Sequence, residues 1–245
     1  MSKRKKDAKI FSVRIFDVFP KDDPIAIDIL RLMFGCNDTY LIEEWANGTK
    51  AIPTNTGAQV IAAGRNTLQL RLLCSFLIVS LEVLDGLMKR PGFEALRTLI
   101  SSEGHLALSK LSKIRLKKIA PSDSGWGVNE TMLRARHTAT AHYDFEKARE
   151  ALLKWRSNHG PTEAGPVVFR HWLGGSDPFY GIADMAIAEM SFELGNPNFW
   201  QNVDGILELI HALRVFVDSL FWAFIKDRNL HDFIRVDKEM NKGNQ

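Results

Sequence analysis

Between Leu133 and Phe145 the chain reads Leu-Arg-Ala-Arg-His-Thr-Ala-Thr-Ala-His-Tyr-Asp-Phe, which places two arginines and two histidines within a few turns of helix. Histidine is the side chain that gains and loses a proton near neutrality. Arginine is a permanent cation whose forked donors match phosphate and carboxylate oxygens. Arg134, Arg136, His137 and His142 therefore concentrate groups suited to proton transfer and anion binding. Between Arg136-His137 and His142 lie only Thr138, Ala139, Thr140 and Ala141. Small residues let a second helix or a ligand approach closely, while the long flanking side chains reach over the gap. An exposed polar helix face with one or two hydrogen-bonded core histidines has the same composition, so the segment alone supports both readings.

Other chemistries lack their residues. The sequence has no Gly-rich phosphate loop and no GxSxG elbow. Its histidines, at 105, 137, 142, 159, 171, 211 and 231, form no HExxH or HxxxH pair. Asp227 and His231 are one turn apart but have no third ligand in view, and Cys36 and Cys74 lack zinc-motif spacing, so no metal and no cofactor is expected. Both cysteines sit in apolar helical patterns, which predicts buried thiols in a reducing compartment.

Arg136-His137-Thr138-Ala139-Thr140-Ala141-His142 resembles the signature of the HEPN superfamily (higher eukaryotes and prokaryotes nucleotide-binding). That signature is an arginine, usually a polar residue, a few variable positions and a histidine on one helix of an all-α bundle. The Ala141-His142 pair with Asp144 close behind is similar to the abortive-infection-like branch. The resemblance implies a metal-independent endoribonuclease of phage defence or a toxin–antitoxin pair, or a non-catalytic helical module that binds nucleotide, RNA or a protein partner. It also implies a homodimer in which two motif helices face one another. Helical geometry suits that arrangement, because six positions put Arg136 and His142 about 120° apart and ~9 Å along the axis, a poor site on one helix alone.

On this resemblance Arg136 and His142 are the catalytic candidates, with His142 as general base or general acid and Arg136 as the phosphate-binding cation. His137 occupies the polar position after the arginine, Arg134 attracts substrate, and Asp144 or Glu146 orients His142. Some members carry a modifiable tyrosine two positions after the histidine. Here that position is Asp144, and Tyr143 follows His142 directly. A cognate antitoxin or other partner protein belongs to the same expectation.

The elements that must position this segment are helical. Asp23-Pro24 is a cap followed by a first-turn proline, and opens a helix to about Trp45 that Gly35 weakens near its middle. A long helix over about 58–89 is apolar almost all round and so is expected to be covered on several sides. Pro91-Gly92 ends it. Short helices follow at about 93–102 and 106–118; in the second, Lys110, Lys113 and Lys117 share a face suited to RNA phosphates or simply to water. Asn129 caps the motif helix, which runs to about Ser157 with an apolar stripe through Phe145, Leu152 and Trp155.

Residues 160–181 hold five glycines and three prolines, a long irregular insertion with a short strand at Val167–Phe169. Arg170 and His171 there are candidate RNA contacts if the segment lies over the site as a lid; the alternative is a loop clamped to the bundle by its aromatics. A short helix at about 182–194 and a last long one at about 199–228 complete an all-α bundle of five to seven helices.

Composition agrees with a packed globular chain: 45% hydrophobic, 25% charged, 32 basic against 29 acidic residues and a net charge of +3. That charge is too mild to establish a nucleic-acid partner. The most apolar run, Leu72–Leu81, is about half of what a membrane span needs, so a cytoplasmic protein with no membrane partner is expected. Three regions follow: a basic, partly disordered segment 1–22, one helical domain 23–230, and a charged, frayed tail 231–245.

Overall fold

The computed structural model describes residues 10–47, 56–114, 127–139 and 198–237, together with positions 149, 153, 157, 168–169 and 178–179. The fold is all-α. In chain order it runs β1 (Ile10–Val13), α1 (Ile15–Val18), α2 (Pro24–Asn47), α3 (Thr56–Met88), α4 (Phe93–Leu99), α5 (Ser102–Leu111), α6 (Val128–Ala139), β2 (Val168–Phe169), β3 (Pro178–Phe179), α7 (Phe199–Asp227), a 3₁₀ turn (His231–Phe233) and β4 (Ile234–Asp237). The short strand expected near Val168 is β2, paired antiparallel with β3. The helix expected at 182–194 and most of the 160–181 insertion lie outside the described residues.

Local chemistry explains where the helices start and stop. Asp23 Oδ1 accepts hydrogen bonds from the Ile25 and Ala26 amides at 2.9 and 3.2 Å, satisfying two first-turn donors ahead of Pro24-led α2. Gly92, at φ +90°, turns the chain between α3 and α4 in the left-handed region where glycine alone is unstrained. Ser101 caps α5 by accepting from the Gly104 amide.

Helices α2 and α3 pack antiparallel, with Asp28 bonded to Arg90 near one end and Gly35 against Ser80 in the middle. A Cβ on Gly35 would overlap Ser80 Oγ, so this glycine, which costs helix propensity, permits the close crossing. Helix α7 supplies the spine of the core: Ile206, Ile210, Leu213, Phe216, Leu220 and Phe224 are buried along it. Arg214 ties α7 to α2 by donating to Glu43 at 2.6 Å and Thr39 at 3.1 Å, with its guanidinium over the Tyr40 ring.

Helix α3 is covered on several sides, by α2, α4, α6 and α7, while Leu68 and Val79 are exposed and Leu72 and Phe76 only half-buried. The tail, expected to be frayed, is ordered as far as Asp237. Residues Ile10–Val13 and Ile234–Asp237 pair as an antiparallel ribbon, and Phe19 stacks on Phe221 and Phe224 with Val18 fully buried. No helix among the described residues is long and apolar enough to cross a membrane.

Cys74 is buried and Cys36 half-buried, both as free thiols. Burial pushes the Cys74 thiol up to about 12 and that of Cys36 to about 11, the latter despite nearby Arg214. An unfolded thiol ionises near 9, so above that pH the unfolded state sheds protons that the native state retains. The stability these two thiols contribute is therefore full below pH 9 and is lost as pH rises toward 11–12. The urea midpoint should decline over that window, and Cys74→Ala should flatten the decline. A thiol reagent at pH 8 should label neither cysteine quickly until denaturant is added.

Candidate functional site

Helix α6 carries the first half of the motif. It starts where the Gly127 carbonyl accepts both the Thr131 amide and the Thr131 hydroxyl at 3.0 Å. Glu130 in the first turn complements the positive helix end. Asn129, expected as the cap, instead lies inside the first turn, its Oδ1 buried without a hydrogen-bond partner. The Thr131 amide bond to Gly127 is the first regular bond of the helix.

Thr131, Met132 and Ala135 are buried and form the anchoring face of α6, at one-turn spacing. Across it, α6 packs on α3 and on the start of α7. Asn202 Nδ2 donates to Thr131 Oγ1 at 3.2 Å, and a Cβ on Gly205 would lie 2.6 Å from Val128, so α6 and α7 come very close. Arg134, Arg136 and His137 fall within this helical backbone, followed by Thr138 and Ala139. Their side chains lie outside the described residues, as do His142, Asp144 and Glu146 entirely. Farther along, Arg149, Leu153 and Ser157 stand in helical backbone and are exposed, off the apolar stripe read from the sequence.

The Thr131–Asn202 contact is the link between motif helix and core that is easiest to cut. Asn202→Ala is expected to cost about 1–2 kcal/mol. Thermal melting should report it as a fall of roughly 2–8 °C.

Among the basic candidates, Lys110 sits in the last turn of α5 and Lys113 in the turn beyond it. The helix predicted over 106–118 begins earlier, at Ser102, and its regular part ends at Leu111, before Lys113. After Leu111 the amides of Lys113 and Ile114 bond back only three residues, and Ser112 Oγ donates to the Ser109 carbonyl, tightening the chain out of α-helix. Lys117, Arg170 and His171 lie outside the described residues.

Lys110 Nζ is 4.0 Å from Glu208 and lines an open groove of about 730 Å³ between α5 and α7. Leu106, Ala107, Leu207 and Ala212 form its apolar floor; Glu103, Asp204, Glu208 and His211 rim it. The Glu103 carboxyl is held below the usual carboxylate range by its own backbone N–H and by the Ser102 and Ser101 hydroxyls. Glu208 thus stands beside Lys110, and Glu103 and Asp204 line the same groove, which does not favour a phosphate track there. The sequence did carry a signal for this groove that went unread, since Asp204, Glu208 and His211 recur at helical spacing on α7. Among the described residues no group of three His, Cys, Asp or Glu side chains is placed to hold a metal ion. Comparison with family models, with characterised proteins and with solved structures finds no match to this chain.

Proposed function

We propose that the chain is a metal-independent endoribonuclease of HEPN type. The observation that carries this reading is the place of Arg136: in the regular helix α6 of an all-α bundle, with Thr138 and Ala139 close behind it and Thr131, Met132 and Ala135 of the same helix buried in the core. Two such helices crossing at the small residues would bring two Arg136–His142 pairs into one cleft.

The reaction needs only groups that the motif provides. The ribose 2′-oxygen bonds to phosphorus as the P–O5′ bond breaks, leaving a 2′,3′-cyclic phosphate and a 5′-hydroxyl. His142 takes the 2′-OH proton or gives one to the departing 5′-oxygen. Arg136 meets the charge that builds on the phosphoryl oxygens with parallel N–H donors. His137 and Arg134 add hydrogen bonds and attraction, and Asp144 or Glu146 holds the imidazole. Phage defence or a toxin–antitoxin pair, in the cytoplasm, is the setting that this chemistry suits.

The test is incubation of the purified chain with total RNA in EDTA, with the product ends analysed. Cleavage leaving cyclic phosphate and 5′-hydroxyl ends supports the reading. RNA binding without cleavage by a folded chain would replace it with the non-catalytic module.

A further inference from the structure

Helices α5 and α7 run antiparallel: the Ser101 amide donates to Ser219 Oγ at one end of the pair, and Lys110 reaches Glu208 at the other. The groove of about 730 Å³ follows the seam between them, and its lining falls into two helical rows. On α5 the row is Glu103, Leu106, Ala107 and Lys110, at i, i+3, i+4 and i+7; on α7 the same spacing runs from Asp204 to Val215. A second hollow of about 630 Å³ shares Glu103 and Val215 with the first and carries it past Trp222 to Lys226. The two together follow α7 for about 33 Å, at the rise of a helix. Described residues line both throughout, and Leu106 is 65% and Leu207 39% exposed on the floor. Exposed leucines that share a groove mark a contact site, unlike apolar residues scattered singly.

We propose that this groove seats an amphipathic helix of a partner protein, apolar along one stripe and rich in lysine or arginine beside it. Shape favours a helix. A long seam between two antiparallel helices is what a third helix fills, with side chains at i, i+3, i+4 and i+7 set between the two rows. Charge favours a basic one. Glu103, Asp204, Glu208 and Asp218 place four carboxylates along the seam. Lys110 already stands beside Glu208 and Arg214 is bonded to Glu43, which leaves Lys226 at the far end. Asp204 and Asp218 make no ion pair among the described residues. Cations flanking the apolar stripe would pair with these carboxylates and fix its register.

The same charges disfavour a second copy laid groove to groove. An isologous contact would set the carboxylates of one protomer against those of the other. The seat is also separate from the motif helix. Asn202 and Gly205, which meet α6, lie about 120° around α7 from the row of Asp204, Glu208 and His211.

The test is fluorescence anisotropy of the full chain with two labelled, alanine-based peptides of about four helical turns. Both carry leucines along one stripe; one flanks them with lysines, the other with glutamates. The lysine peptide should bind with a Kd of about 100 μM or tighter, and more weakly as salt is raised. Leu106→Glu should weaken it about 10-fold or more with unchanged melting, since Leu106 is exposed. If that variant fails to fold, Leu207→Glu takes its place. Asp204→Lys combined with Glu208→Lys should lose the lysine peptide and gain the glutamate one, a reversal that a merely sticky surface would not show. Leu41→Glu, at an exposed residue of α2, should change nothing. A lysine peptide that does not bind, equal binding of both peptides, or binding untouched by Leu106→Glu or Leu207→Glu would overturn the proposal. So would a wild-type dimer that Leu106→Glu dissolves, which would give the groove to a second copy. No RNA enters the measurement and no motif residue is changed, so this groove and the nuclease reading fail separately.

Discussion

Replacing His142 with alanine is expected to lower RNA cleavage by about 10²–10⁴-fold, the range that a positioned general acid or base contributes. Gel-resolved initial rates on a single RNA in EDTA would measure it. Arg136→Ala should cost a comparable factor, about 10²–10³, because it withdraws donors aimed at oxygens that gain charge in the transition state. Arg136→Lys separates charge from geometry. Lysine keeps the positive charge but loses the planar fork, so activity should return only in part. Neither change should alter melting by more than a few degrees if the residues act on substrate.

His142→Ala retaining wild-type cleavage would remove the histidine from the mechanism and, with it, the motif reading. Loss of cleavage accompanied by unfolding would make the histidine structural, the other reading that the sequence segment allows. His137 offers a control within the motif. Standing beside Arg136, it should affect binding more than the chemical step, so that His137→Ala raises KM more than it lowers kcat.

Much of the architecture was legible because it rests on local chemistry. Asp23-Pro24 opens α2, and Pro91-Gly92 closes α3, through the cap and the positive φ that those residue types provide. The stripe from Ile206 to Phe224 on α7 is buried along its length. What escaped depends on long-range contacts. Gly35 reads as a weak point in a helix, yet its missing side chain is what lets α3 approach.

Periodicity shows that α3 is apolar all round but cannot say whether its own chain or a second one covers each side. The pairing of Ile10–Val13 with Ile234–Asp237 joins segments more than two hundred residues apart, beyond any local signal. Lys113 left the expected basic face because Ser112 competes for a helix carbonyl, a contest that residue types alone do not decide. The candidate site was legible as a motif, and the structure adds the anchored helix beneath its first half. That anchoring rests on Thr131 and Asn202, neither of which carries a catalytic signature.

The largest loss of stability should come from Phe216→Ala. Phe216 is fully buried at the centre of α7, the helix against which α2, α4, α5 and α6 all pack. Removing its ring forfeits the transfer energy of the side chain and leaves a cavity that four neighbouring helices cannot all close, a cost of about 3–5 kcal/mol. Domains are stable by only about 5–15 kcal/mol, so the change consumes a large share. At roughly 2–4 °C per kcal/mol for a chain of this length, melting should fall by about 6–20 °C. Phe216→Leu keeps most of the volume and should cost under about 1.5 kcal/mol. Leu106→Ala, at a residue 65% exposed, should stay within about 0.5 kcal/mol of wild type. A small effect at Phe216 together with a large one at Leu106 would mean that the core lies on the other side of α7. The α5–α7 groove would then be interior, and the burial pattern on which the architecture rests would be wrong.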